Sequence, residues 1–299
     1  MLVVKELTKK IGHKKILDEV NLTIPKGSIY GIIGENGAGK TTLIRHLVGA
    51  YSGDSGFVEL EGMRVYENPL AKAKLVYIPD EFIDTFGSNI NDLKTLYQAL
   101  YPSFDELRYY QLMKLFKQDY LENFNHFSKG MKKQVMFILA LAIMPEYLIM
   151  DEPFDGLDPH IRKIIWDILI KDVSERKMTI FISSHHLNEL DSMCDHIALI
   201  DNGKIIFEKS IEALKNEYHK IQLVLNSSRD MYLLEKELKI LSHQMMGRVH
   251  TLILTGDYDE IDKTISKYNP LINEILPLSL EEIFLYSLKG EYDELEKLV

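Results

Sequence analysis

Residues 31 to 44, Gly-Ile-Ile-Gly-Glu-Asn-Gly-Ala-Gly-Lys-Thr-Thr-Leu-Ile, leave this chain few folds to choose from. The apolar run Ile29 to Ile33 reads as a strand, and Thr42, Leu43, His46 and Leu47 open a helical pattern. Between them Gly34 to Thr41 spells G-x-x-x-x-G-K-T, the P-loop or Walker A pattern. Glycines let successive backbone N–H groups converge on a phosphate, and the helix N-terminus behind them adds partial positive charge. Lys40 then reaches the β- and γ-phosphates, and the Thr41 hydroxyl is placed for Mg²⁺. Asn36, Gly37, Ala38, Gly39, Lys40, Thr41 and Thr42 are therefore the candidate nucleotide contacts. The alternative is a glycine-rich β–α turn with no ligand; a strand before and a helix after are the context that favours the nucleotide.

Other elements arrange themselves around that turn. Leu2 to Leu7, Val20 to Ile24 and Ser28 to Ile33 alternate as strands, interrupted at Pro25-Lys-Gly27. Gly53-Asp-Ser-Gly56 turns the chain into Phe57 to Leu60 and Arg64 to Tyr66, and Lys74 to Ile78 stops at Pro79. From Phe82 to about Met144 the period is helical, and the strands Tyr147 to Met150 and Thr179 to Ser183 flank a helix from about His160 to Lys171. Ile197 to Phe207 reads as a hairpin across Asn202-Gly203. Strands alternating with helices give an α/β fold with a mostly parallel sheet and a ligand at the strands' carboxyl ends. After Leu214, strands at Ile221 to Leu225, Val249 to Leu254 and Ile272 to Leu276 mix with helices at Met231 to Leu238, Glu260 to Lys267 and Leu280 to Leu288. That pattern predicts a small C-terminal α+β appendage.

Composition narrows the partners. A net charge of −10 argues against a general binder of nucleic acid or anionic membrane. The single cysteine, Cys194, excludes an internal disulfide framework and suits a reducing cytosol. The first residues lack the basic segment and apolar core of a secretory leader. The longest apolar run, Val135 to Pro145, falls short of the ~20 residues that cross a bilayer.

Lys40 needs partners, and three stand downstream. Tyr147 to Glu152 is an apolar strand ending in two carboxylates. On a strand neighbouring the P-loop, Asp151 would orient Mg²⁺, and Glu152 would face the γ-phosphate to position and deprotonate a water. An acidic turn after a core strand is the plainer reading of the same residues. Ser128, in Phe127-Ser-Lys-Gly-Met131, opens an apolar helix and reads as an ordinary cap or as part of a second phosphate site with Gly130. His185, after the strand Thr179 to Ser183, is either a surface histidine or a hydrogen-bond partner of the γ-phosphate.

Together these residues resemble the nucleotide-binding domain of the ATP-binding cassette (ABC) family from residue 2 to about 210. Gly34 to Thr41 matches Walker A; Phe127 to Met131 matches the signature, usually L-S-G-G-Q. Tyr147 to Glu152 matches Walker B with the catalytic glutamate, Asp155 to Asp158 the D-loop, and Ser183-Ser-His185 the switch histidine. The resemblance implies a P-loop NTPase of ABC type, residues 1–214, with an antiparallel β subdomain and a helical subdomain at about 82–143. Residues 215–299 would be the accessory domain. It also implies ATP and Mg²⁺ as cofactors and a second ABC ATPase subunit, homologous or identical, closing head to tail so that each ATP lies between one Walker A and the opposite signature. Glu152 would activate water, His185 hold the γ-phosphate, and hydrolysis drive an ABC transmembrane permease subunit. The chain would then be cytoplasmic and peripheral on the inner face of the cell membrane.

Four positions depart from the family. Ile11 stands where an aromatic commonly stacks on adenine, offering apolar contact but no π face; His13 is the nearby substitute, or a solvated histidine. Asp80 replaces the glutamine after the strand ending at Ile78, and its carboxylate would join Thr41 and Asp151 as a Mg²⁺ ligand. Lys129 replaces the first signature glycine, pointing at the γ-phosphate or into solvent, and Met131 replaces the glutamine. Aromatics crowd the helical segment (Tyr97, Tyr101, Phe104, Tyr109, Tyr110, Phe116, Tyr120, Phe124): most should be core, with an exposed few beside Asp80 forming an interface patch. The lone cassette, the Ser128-Lys-Gly-Met131 variant and Ser279-Leu-Glu-Glu-Ile-Phe284 look like ATPase subunits of bacterial exporters for antibiotics and amphipathic peptides, of the bacitracin, lantibiotic or phenol-soluble-modulin type. A soluble ABC ATPase of translation or DNA repair would instead show a second cassette, a coiled-coil insertion or a basic face. A non-hydrolysing nucleotide switch would lack Glu152.

Overall fold

Alternating burial along the first two strands and continuous burial along the later ones set up two different sheets. The computed structural model describes residues 1–81, 89–117, 124–185, 187–191 and 193–286. In chain order it forms β1 (Leu2–Ile11), β2 (Lys14–Ile24), β3 (Ile29–Ile33), α1 (Lys40–Leu47), β4 (Ser55–Leu60), β5 (Met63–Arg64), α2 (Pro69–Lys72) and β6 (Leu75–Ile78). Three helices follow, α3 (Ile90–Leu100), α4 (Glu106–Phe116) and α5 (Lys129–Ala142). Then come β7 (Tyr147–Asp151), α6 (Pro159–Arg176), β8 (Thr179–Ser184), α7 (Leu187–Asp191), β9 (His196–Asp201) and β10 (Lys204–Ser210). The remainder is α8 (Ile211–Glu217), β11 (Tyr218–Val224), α9 (Ser228–Glu237), β12 (Ile240–Met246), β13 (Val249–Thr255), α10 (Tyr258–Ser266) and β14 (Ile272–Leu276), with a last helix, α11, over 280–286. The chain divides into two compact units, Met1–His186 with Met193–Glu208, and Leu187–Ser192 with Lys209–Val299.

In the first unit a four-stranded antiparallel sheet runs β2-β1-β4-β5, and a six-stranded sheet runs β10-β9-β3-β8-β7-β6. Within the second, β9, β3, β8, β7 and β6 pair in parallel. Every residue of β3, β7 and β8 is buried, as befits strands covered on both faces. One apolar core joins the antiparallel sheet (Leu2, Leu17, Leu22, Leu60) to α1 (Leu43, Ile44, Leu47) and to the parallel strands (Tyr30, Ile32, Tyr147, Phe181). The strand order corrects one expectation. β7 does not neighbour the P-loop strand, because β8 lies between, so Asp151 and Glu152 approach the P-loop across β8.

The helical stretch is also less uniform than its period suggested. Phe82 and Tyr120 lie outside the described residues. Of the remaining aromatics Tyr109, Phe116 and Phe124 are buried, while Tyr110 is 51% exposed and Tyr97, Tyr101 and Phe104 are half-buried, so fewer are core than expected. α3 and α4 each begin on a side-chain cap, Asn89 and Asp105, which explains why the chain breaks into separate helices there.

The second unit is a β-α-β-β-α-β plait with sheet order β12-β13-β11-β14, all pairs antiparallel, the ferredoxin-like arrangement. α9 and α10 cover one face through Met231, Leu234, Ile261 and Ile265, packed on Ile221, Leu223, Leu252 and Leu254. The sequence reading missed β12. It is an edge strand whose order, Ile240-Leu-Ser-His-Gln-Met-Met246, does not alternate, and its second half is exposed. Ser279 and Glu282 close a capping box at the start of α11: the Ser279 hydroxyl accepts the Glu282 N–H at 3.2 Å and the Glu282 carboxylate the Ser279 N–H at 3.1 Å.

Candidate functional site

β3 carries the chain to the carboxyl edge of the parallel sheet, and the turn after it closes on α1. Gly39 is the N-cap of α1 with φ 114° and ψ 0°, a conformation open to glycine, and no side chain caps the helix. The first N–H groups of α1 are thus left without a side-chain acceptor, the arrangement that suits an anion. Beside this turn lies a cavity of ≈ 410 Å³ lined by Ile11, Lys14, Ile16, Glu35, Asn36, Gly37, Gly39, Lys40, Thr41, Thr42, Asp80, Asp151 and Glu152. Ten of the residues singled out in the sequence therefore share one wall system. Ala38 is buried and is not among the lining residues. Ile11, 56% exposed, forms part of its rim.

The charged groups inside are arranged by β7 and β8. Lys40 folds back over the turn, donating to the carbonyls of Gly34 and Glu35, and its ammonium stands 3.6 Å from Glu152 Oε1. Ser183, paired with Asp151 across the β7–β8 ladder, donates to Asp151 Oδ1 at 2.6 Å and accepts the Glu152 N–H at 3.0 Å. His185 donates its backbone N–H to Glu152 Oε2 at 3.3 Å, and its Nδ1 lies 2.9 Å from the same oxygen. With an ionised carboxylate as acceptor, that geometry puts the ring proton on Nδ1. Glu152 Oε1 is buried and accepts no hydrogen bond. Among the described residues, Glu152, Asp155 and His185 are the one group whose ligand atoms all lie within 4.8 Å of one another. Thr41, Asp151 and Glu152 all line the cavity and offer hard oxygens, the donor type that suits Mg²⁺.

Two departures resolve differently from either alternative read in the sequence. Lys129, its side chain 49% exposed, pairs its ammonium with Asp80 Oδ1 at 3.2 Å, an ion pair that neither reading included. Lys133, which the sequence reading did not single out, donates to the same oxygen at 3.2 Å and also to the Glu152 carbonyl. Burial would raise the Asp80 carboxyl's pKa, but the hydrogen bonds from Lys129 and Lys133 outweigh it and hold the group below its ordinary value. Two ammonium groups thus already meet Oδ1 of the carboxylate read as a metal ligand. Lys133 was detectable in principle: it sits on the same helical face as Gly130 and Phe137, which is buried.

Of the signature residues, Lys129 reaches a carboxylate of the cavity wall, but Ser128 and Gly130 are not part of the lining. Ser128 caps α5, its Oγ accepting the Met131 N–H at 3.2 Å. Gly130 has a packing role of its own, since a Cβ there would lie 2.6 Å from the Gly156 carbonyl oxygen.

Comparison with known proteins agrees with this geometry. The family model described as ABC transporter matches residues 17–155. The lantibiotic transport ATP-binding protein SrtF of Streptococcus pyogenes is 34% identical over 72% of this chain and 93% of its own length. The chain belongs to the ABC transporter ATP-binding proteins. As such it is an ATP-binding subunit and an ATPase. The ABC transporter ATP-binding protein YtrB of Bacillus subtilis is 29% identical over 97% of this chain and 99% of its own. A solved structure of an ATP-binding subunit of an ABC transporter superposes with a TM-score of 0.67 at 23% identity, covering 89% of this chain and 99% of that one, which places the fold. No helix among the described residues of this ABC protein is long and apolar enough to cross a membrane.

Proposed function

We propose that this ATPase powers export of peptides or drugs through a separate ABC transmembrane permease subunit, working as a head-to-tail pair with a second ABC ATPase subunit on the cytoplasmic face of the membrane. The observation that carries this reading is the separation of the two halves of the site. Lys40 and Glu152 line the cavity together, with His185 on the other oxygen of Glu152, whereas Ser128 and Gly130 do not line it. A site in which the serine-capped helix meets the triphosphate needs that helix from another subunit. The name of the lantibiotic transporter relative supports a peptide substrate.

Within that reading ATP lies along Asn36, Gly37, Ala38, Gly39, Lys40, Thr41 and Thr42, with its base against Ile11. Lys40 leaves the Gly34 and Glu35 carbonyls for the phosphates. Mg²⁺ would be held by Thr41 and Asp151, with Asp80 available only if it releases its lysines, and would neutralise charge on the phosphates. Glu152 Oε1, buried and accepting no hydrogen bond, takes a proton from the attacking water while His185 holds Oε2 and then the γ-phosphate. Residues 215–299 serve as an accessory domain on the ATP-binding domain of 1–214; a separate apolar core supports this division.

The test combines light scattering with purification from membranes. Glu152→Gln with saturating MgATP is expected to run as a dimer and to co-purify with an integral membrane chain. A variant that binds MgATP yet stays monomeric both alone and with that chain would refute the paired site. Capture of ribosomes or DNA in place of a membrane chain would favour the soluble ATPase of translation or repair.

A further inference from the structure

Lys133 is 1% exposed, an ammonium in the interior beneath the nucleotide cavity. Taking such a charge out of water costs several kcal/mol unless it is paired and hydrogen-bonded. Asp80, at the end of the β6 segment, supplies the pairing at 3.2 Å. The second acceptor is the main-chain carbonyl of Glu152. That residue has φ 41°, in the left-handed region, where a side chain with a Cβ is strained. Something must hold it there. Its N–H is held by Ser183, through Oγ at 3.0 Å and the carbonyl at 3.2 Å; its carbonyl accepts the Lys133 ammonium and, at a longer 3.4 Å, the Asp155 N–H. A charge-assisted hydrogen bond is of a strength that can offset the strain.

We infer that Lys133 is a positioning residue for hydrolysis: from α5, and anchored by Asp80, it fixes the backbone of Glu152 in the left-handed conformation that aims the carboxylate at Lys40 and the nucleotide cavity. Without the ammonium the peptide after Glu152 relaxes towards an ordinary conformation and Oε1 leaves its place 3.6 Å from Lys40. The same cation joins three segments, the Asp80 loop, the Glu152 turn and the helix that carries Ser128. The inference rests on the reading of Glu152 as the group that activates water.

The experiment measures steady-state ATP hydrolysis by the full-length chain as Lys133→Met, Glu152→Gln and the double variant, with MgATP affinity and thermal unfolding alongside. Lys133→Met is expected to lower kcat about tenfold to a hundredfold, the scale of a misplaced catalytic group, with KM within twofold of the parent. It is expected to add no loss in the Glu152→Gln background, because it acts through Glu152. Lys133→Gln, which keeps a donor for the Glu152 carbonyl, is expected to retain more kcat than Lys133→Met, and it replaces that variant if Lys133→Met does not fold. Unchanged kcat, a rise in KM alone, or an equal loss in both backgrounds would overturn the inference. Full turnover by Glu152→Gln would show instead that the reading of Glu152 is wrong, and the inference would fall with it.

Discussion

The hairpin glycine Gly203 offers a sharp test of how the P-loop is supported. Its φ is +79°, and a Cβ added there would meet only backbone: the Ile16 carbonyl oxygen at 2.4 Å, the Ile16 carbonyl carbon at 2.9 Å and Leu17 Cα at 3.2 Å. Its N–H donates to the Ala38 carbonyl at 3.0 Å, and its own carbonyl accepts the Asp18 N–H at 2.9 Å. The β9–β10 turn is therefore wedged between β2 and the P-loop, and Ile16 is itself a wall of the nucleotide cavity. Gly62, in the β4–β5 turn, has a similar φ of +82° but nothing within 4 Å of its Cβ position.

Alanine at either glycine incurs the left-handed strain, roughly 1–2 kcal/mol, and loses the same unfolded-state entropy. Both terms cancel in the comparison. What remains for Gly203→Ala is the collision with Ile16, of the order of overpacking, about 1–3 kcal/mol beyond Gly62→Ala. For a unit of this size that difference is about 2–12 °C in the midpoint of thermal unfolding, at roughly 2–4 °C per kcal/mol. Urea unfolding and calorimetric titration with MgATP read both consequences: Gly203→Ala is expected to lose more stability than Gly62→Ala and to bind nucleotide more weakly, while Gly62→Ala keeps the parent affinity. Equal destabilisation by the two substitutions, with affinity intact in both, would refute the idea that the hairpin braces the P-loop.

Glu152→Gln is expected to bind MgATP and to lower turnover by ~10² or more, the scale of a lost general base, checked by phosphate release. Lys40→Ala is expected to lose most of its MgATP affinity in calorimetry; undiminished binding would count against the phosphate role of the turn. His46 on α1 is buried, and burial lowers its pKa from the ordinary 6.5, against hydrogen bonds to the Thr42 and Ser52 carbonyls. The unfolded chain then binds the extra proton first, so the stability this residue contributes is full above about pH 6.5 and declines as pH falls through the lowered folded pKa. Urea unfolding between pH 8 and 5 is expected to show that decline in the parent and a shallower one in His46→Gln.

The P-loop, the two carboxylates at the end of β7 and the hairpin at Asn202-Gly203 were legible because each is a local pattern within a dozen residues. Strand order was not, because periodicity says which face of a strand is buried and nothing about its neighbour; so β8 was not foreseen between β3 and β7. The same limit explains the side chains that join distant segments. Lys133 is separated from Asp80 by 53 residues and from Glu152 by 19, and only the helix pitch hinted that it faced inward. Lys129 shows the point from the other side. Its two readings in the sequence, towards phosphate or towards solvent, omitted a third, because the carboxylate that takes it comes from another strand's end. In this chain the departures from the usual family residues at 80 and 129 compensate each other as an ion pair. Asp80→Gln leaves the buried Lys133 without its carboxylate whether or not Lys129 is changed, and Asp80→Gln alone leaves Lys129 uncompensated as well; replacing the pair together, Asp80→Gln with Lys129→Gly, is therefore expected to disturb hydrolysis less than Asp80→Gln alone.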